Sequence, residues 1–166
     1  MQQNQHEFFA LLDLLQQRGV KTVVEVGSSH GGALVFYDQI VGADGLVVGV
    51  ENAPEYAFSV HRTSPFKPIS DMNLIEGDSH LWETVDRVEA ALKGRPLDFL
   101  FIDGDHSYEG AKQDLEMFGP LVRSGGIIGF HDVAIEPRVR RLFDEVEIEK
   151  EILPVHHMGI GLFYKP

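Results

Sequence analysis

The apolar residues of this chain change their period repeatedly, and that alternation leaves few folds open. Phe8, Leu11, Leu12 and Leu15 recur at i, i+3, i+4 and i+7, the stripe of an amphipathic helix, with Gly19 as its stop. Phe9 and Leu14 lie off the stripe, so a second cover for this helix, another copy of the chain, is expected. Short runs follow that suit strands: Val20–Val26, Leu46–Glu51, Asn73–Glu76, Leu97–Ile102 and Gly126–Phe130. Between and after them, Ala33–Val41, Pro54–His61, Leu81–Leu92, Tyr108–Phe118 and Val139–Val146 carry helical spacing, and Thr63–Asp71, with Pro65 and Pro68, reads as loop. The tail breaks the rule, because Ile148–Val155 and Ile160–Tyr164 are two strands in succession.

Strands that alternate with helices are joined by right-handed crossovers and lie parallel. Two consecutive strands close as an antiparallel hairpin. The expected fold is therefore α/β: a doubly wound, mostly parallel seven-stranded sheet with an antiparallel C-terminal hairpin strand. With 166 residues there is room for one domain. It is expected to span 1–166, with an N-terminal helix over 1–19 and the α/β core over 20–166.

Charge narrows the partners. Fourteen basic against 26 acidic side chains leave a net −12, which repels phosphate backbones, so neither nucleic acid nor an anionic membrane is the expected partner. Cysteine is absent, which excludes disulfides, thiolate nucleophiles and Cys-ligated zinc and fits a reducing compartment. The start, Met1-Gln2-Gln3-Asn4-Gln5-His6-Glu7, lacks the basic and apolar runs of a signal peptide. No apolar stretch approaches the ~18 residues of a membrane span. A soluble, cytoplasmic protein is expected.

In an open α/β sheet, ligands bind beyond the carboxyl ends of the strands. Those ends here read Glu25-Val26-Gly27-Ser28-Ser29-His30-Gly31-Gly32, Glu51, Gly77-Asp78-Ser79-His80, Asp103-Gly104-Asp105-His106 and His131-Asp132. Every parallel strand ends in a carboxylate. In the first loop Gly27, Gly31 and Gly32 allow positive φ and close backbone approach, and the helix after them offers free N–H groups to a carboxylate or phosphate. The same glycines would also serve a tight turn with no ligand. The spacing is G-x-x-x-G-G, not G-x-G-x-x-G, since Ser29 stands at the middle position. Glu51 lies 24 residues after Gly27, near the distance at which an acidic side chain grips the ribose hydroxyls of a bound nucleoside. Loop and acid together favour a nucleoside ligand and do not separate S-adenosylmethionine (SAM) from NAD.

Five segments occur in order: VVEVGSSHGG (23–32), VVGVEN (47–52), IEGDSH (75–80), DFLFIDGDHSYEGAKQDL (98–115) and GGIIGFHDV (125–133). Over roughly residues 20–145 the chain thereby resembles the class I SAM-dependent methyltransferases, a Rossmann-like family. The likeness is to its small-molecule O-methyltransferase branch, with the cephalosporin hydroxylase-like and macrocin O-methyltransferase-like proteins. The resemblance implies SAM as cofactor and a small molecule as methyl acceptor. It places Glu25, Gly27, Ser28 and Gly31 at the methionine end of SAM, Glu51 on the ribose, and Asp78 with Ser79 beside the adenine. Asp103 falls near the transferred methyl and a divalent metal, His106 matches a general base, and His131 with Asp132 occupy a position that usually holds two acidic metal ligands. Histidine at 131 departs from that pattern, because magnesium prefers oxygen. Three readings stay open: manganese, iron or zinc; magnesium through Asp103 and Asp132 with waters; or no metal. No Asn/Asp-Pro-Pro-Tyr segment follows Ile102, which among relatives argues for oxygen over nucleobase nitrogen.

Blander assignments accompany these. Phe36, Tyr37, Phe99, Phe101 and Phe130 are expected in the core. Trp82 covers the adenine or fills the core, His156 and His157 point to opposite faces of a strand and are not expected to share a metal, and Arg138, Arg140 and Arg141 form a solvated helix face or, as the second reading, receive an anionic substrate. Two other functions compete: a metal-dependent hydrolase using the strand-end Asp/His residues, and a SAM-binding domain without catalysis. A dehydrogenase ranks last because the dinucleotide glycine spacing is broken.

Overall fold

A computed structural model describes residues 4–55, 57–63, 65–154 and 156–166. Met1–Gln3, Tyr56, Ser64 and Val155, the last being the expected end of the sixth strand, lie outside the described residues. The strands are β1 (Thr22–Val26), β2 (Leu46–Glu51), β3 (Asp71–Glu76), β4 (Leu97–Ile102), β5 (Val122–Phe130), β6 (Lys150–Ile152) and β7 (Gly161–Tyr164). The helices are α1 (Gln5–Gln17), α2 (Gly32–Val41), α3 (Ser59–Thr63), α4 (Trp82–Leu92), α5 (Tyr108–Phe118) and α6 (Pro137–Glu145). They build one seven-stranded sheet in the order β3-β2-β1-β4-β5-β7-β6. The first five strands are parallel and β7 is antiparallel to both β5 and β6, as the alternation predicts.

The central strands β1, β2 and β4 are buried along their whole length, which explains why they read as continuous apolar runs and not as alternating ones. Their side chains still sort by parity onto two cores. Val24, Val26, Val48, Val50, Leu100 and Ile102 join the α4–α6 residues Val85, Val88, Phe118, Leu142 and Phe143 on one face. Val23, Val47, Phe99 and Phe101 join Phe8, Leu11, Leu15, Leu34 and Tyr37 of α1 and α2 on the other.

Several element ends differ from expectation. The helix expected at 54–61 is a five-residue turn at Ser59–Thr63. β5 starts four residues early, with a register shift against β4 between Leu97 and Phe99; Gly125 at φ +73 and Gly126 masked those residues as a turn. Leu81 caps α4 and is exposed instead of lying on its buried stripe, and Phe36 is exposed at the α1–α2 surface. Trp82 is 66% exposed and lines neither site cavity described below, so it fills neither expected role. The three arginines of α6 pair with Glu136, Asp144 and Glu145 on their own segment. Among the described residues no helix is long and apolar enough to cross a membrane.

Candidate active site at the strand ends

The order of strands reverses between β1 and β4, and the loops leaving those two strands part there to form a crevice. Gly27 makes the close approach possible. It has φ +86, and a Cβ on it would stand 2.3 Å from the Asp103 carbonyl oxygen. Two cavities open on either side of this contact. The larger, about 450 Å³, is bounded by Glu51, Asn52, Asp78, Ser79, His80 and Asp105. The smaller, about 200 Å³, is bounded by Glu25, Ser28, His30, His131, Asp132, Ile135 and Met158. Gly27, Ser29, Asp103 and His106 border both.

On the larger side, Glu51 is fixed by the backbone around it. Its Oε2 accepts from the Ser29 N–H at 2.5 Å, and its Oε1 from the N–H groups of Asn52 and Ala53 at 3.0 Å each. Three of its roughly four acceptor sites are thus taken and one remains for a ligand. Asp78 accepts the His80 N–H at 2.9 Å, which folds the β3–α4 loop around the cavity. Ser29 itself has φ +49, an uncommon conformation for a residue with a side chain and a pointer to a functional loop. Gly31, at φ +80, turns the chain beneath the His61 ring, 2.6 Å from where a Cβ would be, and lines neither cavity. Gly32 begins α2 without a positive φ.

On the smaller side four titratable groups converge. The Nδ1 of His131 lies 3.0 Å from Asp103 and 3.2 Å from Asp132. The Nδ1 of His106 lies 3.2 Å from Asp132 and its Nε2 3.5 Å from Asp103. Burial works against a charged His131, yet hydrogen bonds to Asp103 and Asp132 outweigh it and raise its pKa to about 10. The hydrogen bond to Asp103 raises His106 above its ordinary value against a smaller effect of burial. Burial likewise opposes ionisation of Asp103, but the two imidazoles hold it below the usual carboxylate value. Glu25 faces the opposite balance: burial and the nearby Asp103 push it up to about 8, so its carboxyl is largely protonated at neutral pH. Asp132 is held at φ +62, strain that again marks the site.

Asp103, His131 and Asp132 each offer one donor atom within 4.8 Å of the others. Among the described residues the buried His131 Nε2 has no hydrogen-bond partner, and Asp132 Oδ1 has only the His131 Nδ1 contact. Two carboxylates and an imidazole with orphaned atoms are a donor set that a divalent ion fits. The hydrolase arrangement does not form, because β2, β1 and β4 stand between the strand that carries Asp78 and the strand that carries Asp132. A two-metal site needs its ions about 4 Å apart.

Sequence reasoning placed Ser29, His30, His80 and Asp105 at the strand ends without giving them a role, and it missed Asn52, Ile135 and Met158 as lining residues. Ser29, Asn52 and His80 were legible as neighbours of chosen positions. Met158 carried no signal, since it reaches the site from the β6–β7 loop. His156 and His157 lie in that loop and not on a strand; their N–H groups, with those of Met158 and Gly159, donate to the buried Glu7 carboxylate.

Residues 24–133 match the family model described as a methyltransferase domain. An uncharacterized protein of Acanthamoeba polyphaga mimivirus is 25% identical over 165 residues, 87% of this chain and 71% of that protein. Among solved structures, an O-methyltransferase from Bacillus cereus in complex with S-adenosylhomocysteine (SAH) superposes with a TM-score of 0.73 at 21% identity, covering 98% of this chain and 82% of that one. The O-methyltransferase of tomaymycin synthesis from Streptomyces achromogenes, in complex with SAM, gives 0.76 at 14% identity, with 99% and 82% covered. At such identities the structural likenesses establish the fold. The family match spans about two thirds of the chain and includes the site's loops after the parallel strands as far as Val133. The chain belongs to the methyltransferase-domain family and is a class I SAM-dependent methyltransferase.

Proposed function

We propose that the protein transfers the SAM methyl group to a hydroxyl oxygen of a small molecule. One observation carries this reading: Asp103 and His106 stand on the wall common to both cavities. A nucleoside in the larger cavity and a hydroxyl in the smaller one meet there. The larger cavity receives adenosine, with the free acceptor site of Glu51 on the ribose and Asp78 with Ser79 beside the base. The loop of Gly27 and Ser28, with the neutral Glu25 beneath it, receives the methionine end, and Gly31 only shapes its turn. The smaller cavity, with Ile135 and Met158 at its wall, is of a size that suits a compact acceptor.

The acceptor oxygen forms its bond to the methyl carbon as the sulfur–methyl bond breaks, and the hydroxyl proton passes to His106. Asp132 holds that imidazole in place through Nδ1 at 3.2 Å, and the more distant Nε2, 3.5 Å from Asp103, takes the proton. Asp103, His131 and Asp132 would hold a divalent ion, which when bound lowers the pKa of a coordinated hydroxyl. A homodimer seated on the outer face of α1, where Phe9 and Phe36 are exposed and in ring contact, belongs to the same reading, and a monomeric mass in solution would remove it.

The test is a thermal-shift titration with SAH and with NAD, each with magnesium, manganese or EDTA. SAH at 100 times its dissociation constant should stabilise the fold by about 2.7 kcal/mol, and NAD should not. Labelled SAM then screens catechol and sugar hydroxyls as acceptors. With a working acceptor, His106→Ala should retain SAH binding and lose about 10²- to 10⁴-fold in turnover. Full activity of that variant would remove His106 as base, and binding of NAD in place of SAH would overturn the reading.

A further inference from the structure

Behind the larger cavity lies a carboxylate that methyl transfer itself does not employ. Asp114 of α5 has no exposed surface, and among the described residues neither of its oxygens has a hydrogen-bond partner of good geometry, Ser79 and His80 being its polar neighbours. The Nε2 of His80 lies 3.4 Å from Oδ1 and, among the described residues, is itself buried with no other partner. His80 forms part of the larger cavity's wall. Its backbone is gripped from two sides, with its N–H donating to Asp78 and its carbonyl accepting from the Gln113 amide at 3.1 Å. Gly104, another residue of that wall, brings its backbone over Oδ2; a Cβ there would lie 3.4 Å away. Asp114 thus sits directly under the two loops that leave β3 and β4.

A buried acid is costly unless something repays it. Leucine or asparagine would fill this space without the cost, so a role in the cavity above is the economical account. We propose that Asp114 is a positioning residue for the nucleoside cavity: by accepting from His80 Nε2 it fixes that imidazole in the wall and sets how tightly the adenosine end of the cofactor is held. An Nε2–H committed to a carboxylate leaves Nδ1 with its lone pair, an acceptor. Adenosine offers matching donors in its exocyclic amine and its ribose hydroxyls. The inference rests on the larger cavity being the SAM site.

The groups acting on Asp114 are Ser79, His80, Asp105 and Asp78; burial and the two like charges push its pKa up to about 6, against the pull of Ser79 and His80. A carboxyl raised in the fold contributes stability at low pH that is lost as pH rises through about 6. Removing the charge therefore does not lower the melting temperature at pH 7.5. A positioning role and a purely structural one then predict opposite patterns.

The experiment measures SAH affinity calorimetrically and melting temperature for the native chain, Asp114→Asn, Asp114→Leu, His80→Ala and the Asp114→Leu/His80→Ala double variant. At pH 7.5 Asp114→Leu and His80→Ala should each weaken SAH about tenfold, and the double variant no further. Asp114→Asn, which keeps a neutral acceptor, should fall between. The melting temperatures of both Asp114 variants should hold or rise. Native affinity should decline between pH 7.5 and 5.5, and the Asp114→Leu affinity should decline less. Native affinity in the Asp114→Leu variant, or additive losses in the double variant, would overturn the proposal. A native chain that fails to bind SAH would overturn the cofactor assignment of the cavity instead.

Discussion

At the scale of single residues, the site is made by a few positions where backbone and chemistry leave no choice. Gly27 is one of them. Its positive φ and the Asp103 carbonyl 2.3 Å from a Cβ exclude any side chain, and both cavities border that contact. Gly27→Ala should cost about 1–3 kcal/mol of stability and abolish SAH-induced stabilisation, because the loops after β1 and β4 must separate. Chemical denaturation with and without SAH checks it, and a variant with a native SAH shift would show that the close approach is dispensable. Glu51 illustrates a different dependence. Its spacing from Gly27 favours a nucleoside ligand, while the three N–H groups that hold it come from loops no periodicity describes.

At the scale of elements, α1 is tied to the site by one side chain. Glu7, in its first turn, is buried and accepts from four consecutive N–H groups, His156 and His157 at 2.6 Å, Met158 at 3.2 Å and Gly159 at 3.1 Å. Burial works against its ionisation, and the four donors together outweigh that and lower its pKa. The same loop accepts from the Val133 and Ala134 N–H groups, just past His131 and Asp132. Glu7→Ala would leave four donors without their acceptor and should cost about 3 kcal/mol in urea denaturation; a loss below 1 kcal/mol would show that water replaces the carboxylate. The sequence reading placed α1 by its stripe and was silent on Glu7, because a carboxylate in a first helical turn ordinarily looks like a dipole partner facing solvent.

At the scale of the whole molecule, the end of the sheet opposite the site is held by Asp98. It accepts from the Lys21 and Thr22 N–H groups at 2.8 and 3.0 Å and from Arg123 at 2.6 Å, joining the start of β1 to β4 and β5. Burial opposes its charge, but Arg123 and the two N–H groups prevail and hold it below its ordinary 3.8. A depressed acid contributes stability above 3.8 that disappears as pH falls through the folded value. Asp98→Asn should therefore be less stable than the native chain at pH 7, with the gap narrower at a pH below 3.8. Urea midpoints at the two pH values decide it, and an equal gap at both would refute the linkage.

Patterning by itself determined the class of fold and the strand ends at which to look. Apolar periods of 2 and 3.6 are local, and burying both faces of a central strand forces a continuous apolar run in β1, β2 and β4. The candidate residues at those ends were legible for the same reason: a polar residue right after a buried strand emerges at the sheet's edge. Which of them meet was decided by tertiary structure. The strand order puts Asp103 beside Gly27 and keeps Asp78 from Asp132, and no local pattern encodes that order. Met158 in the small cavity, Glu7 beneath its loop and Asp114 behind His80 all act across long separations in sequence. Their positions are fixed by how packed elements exclude water from a carboxylate, which depends on every neighbour at once.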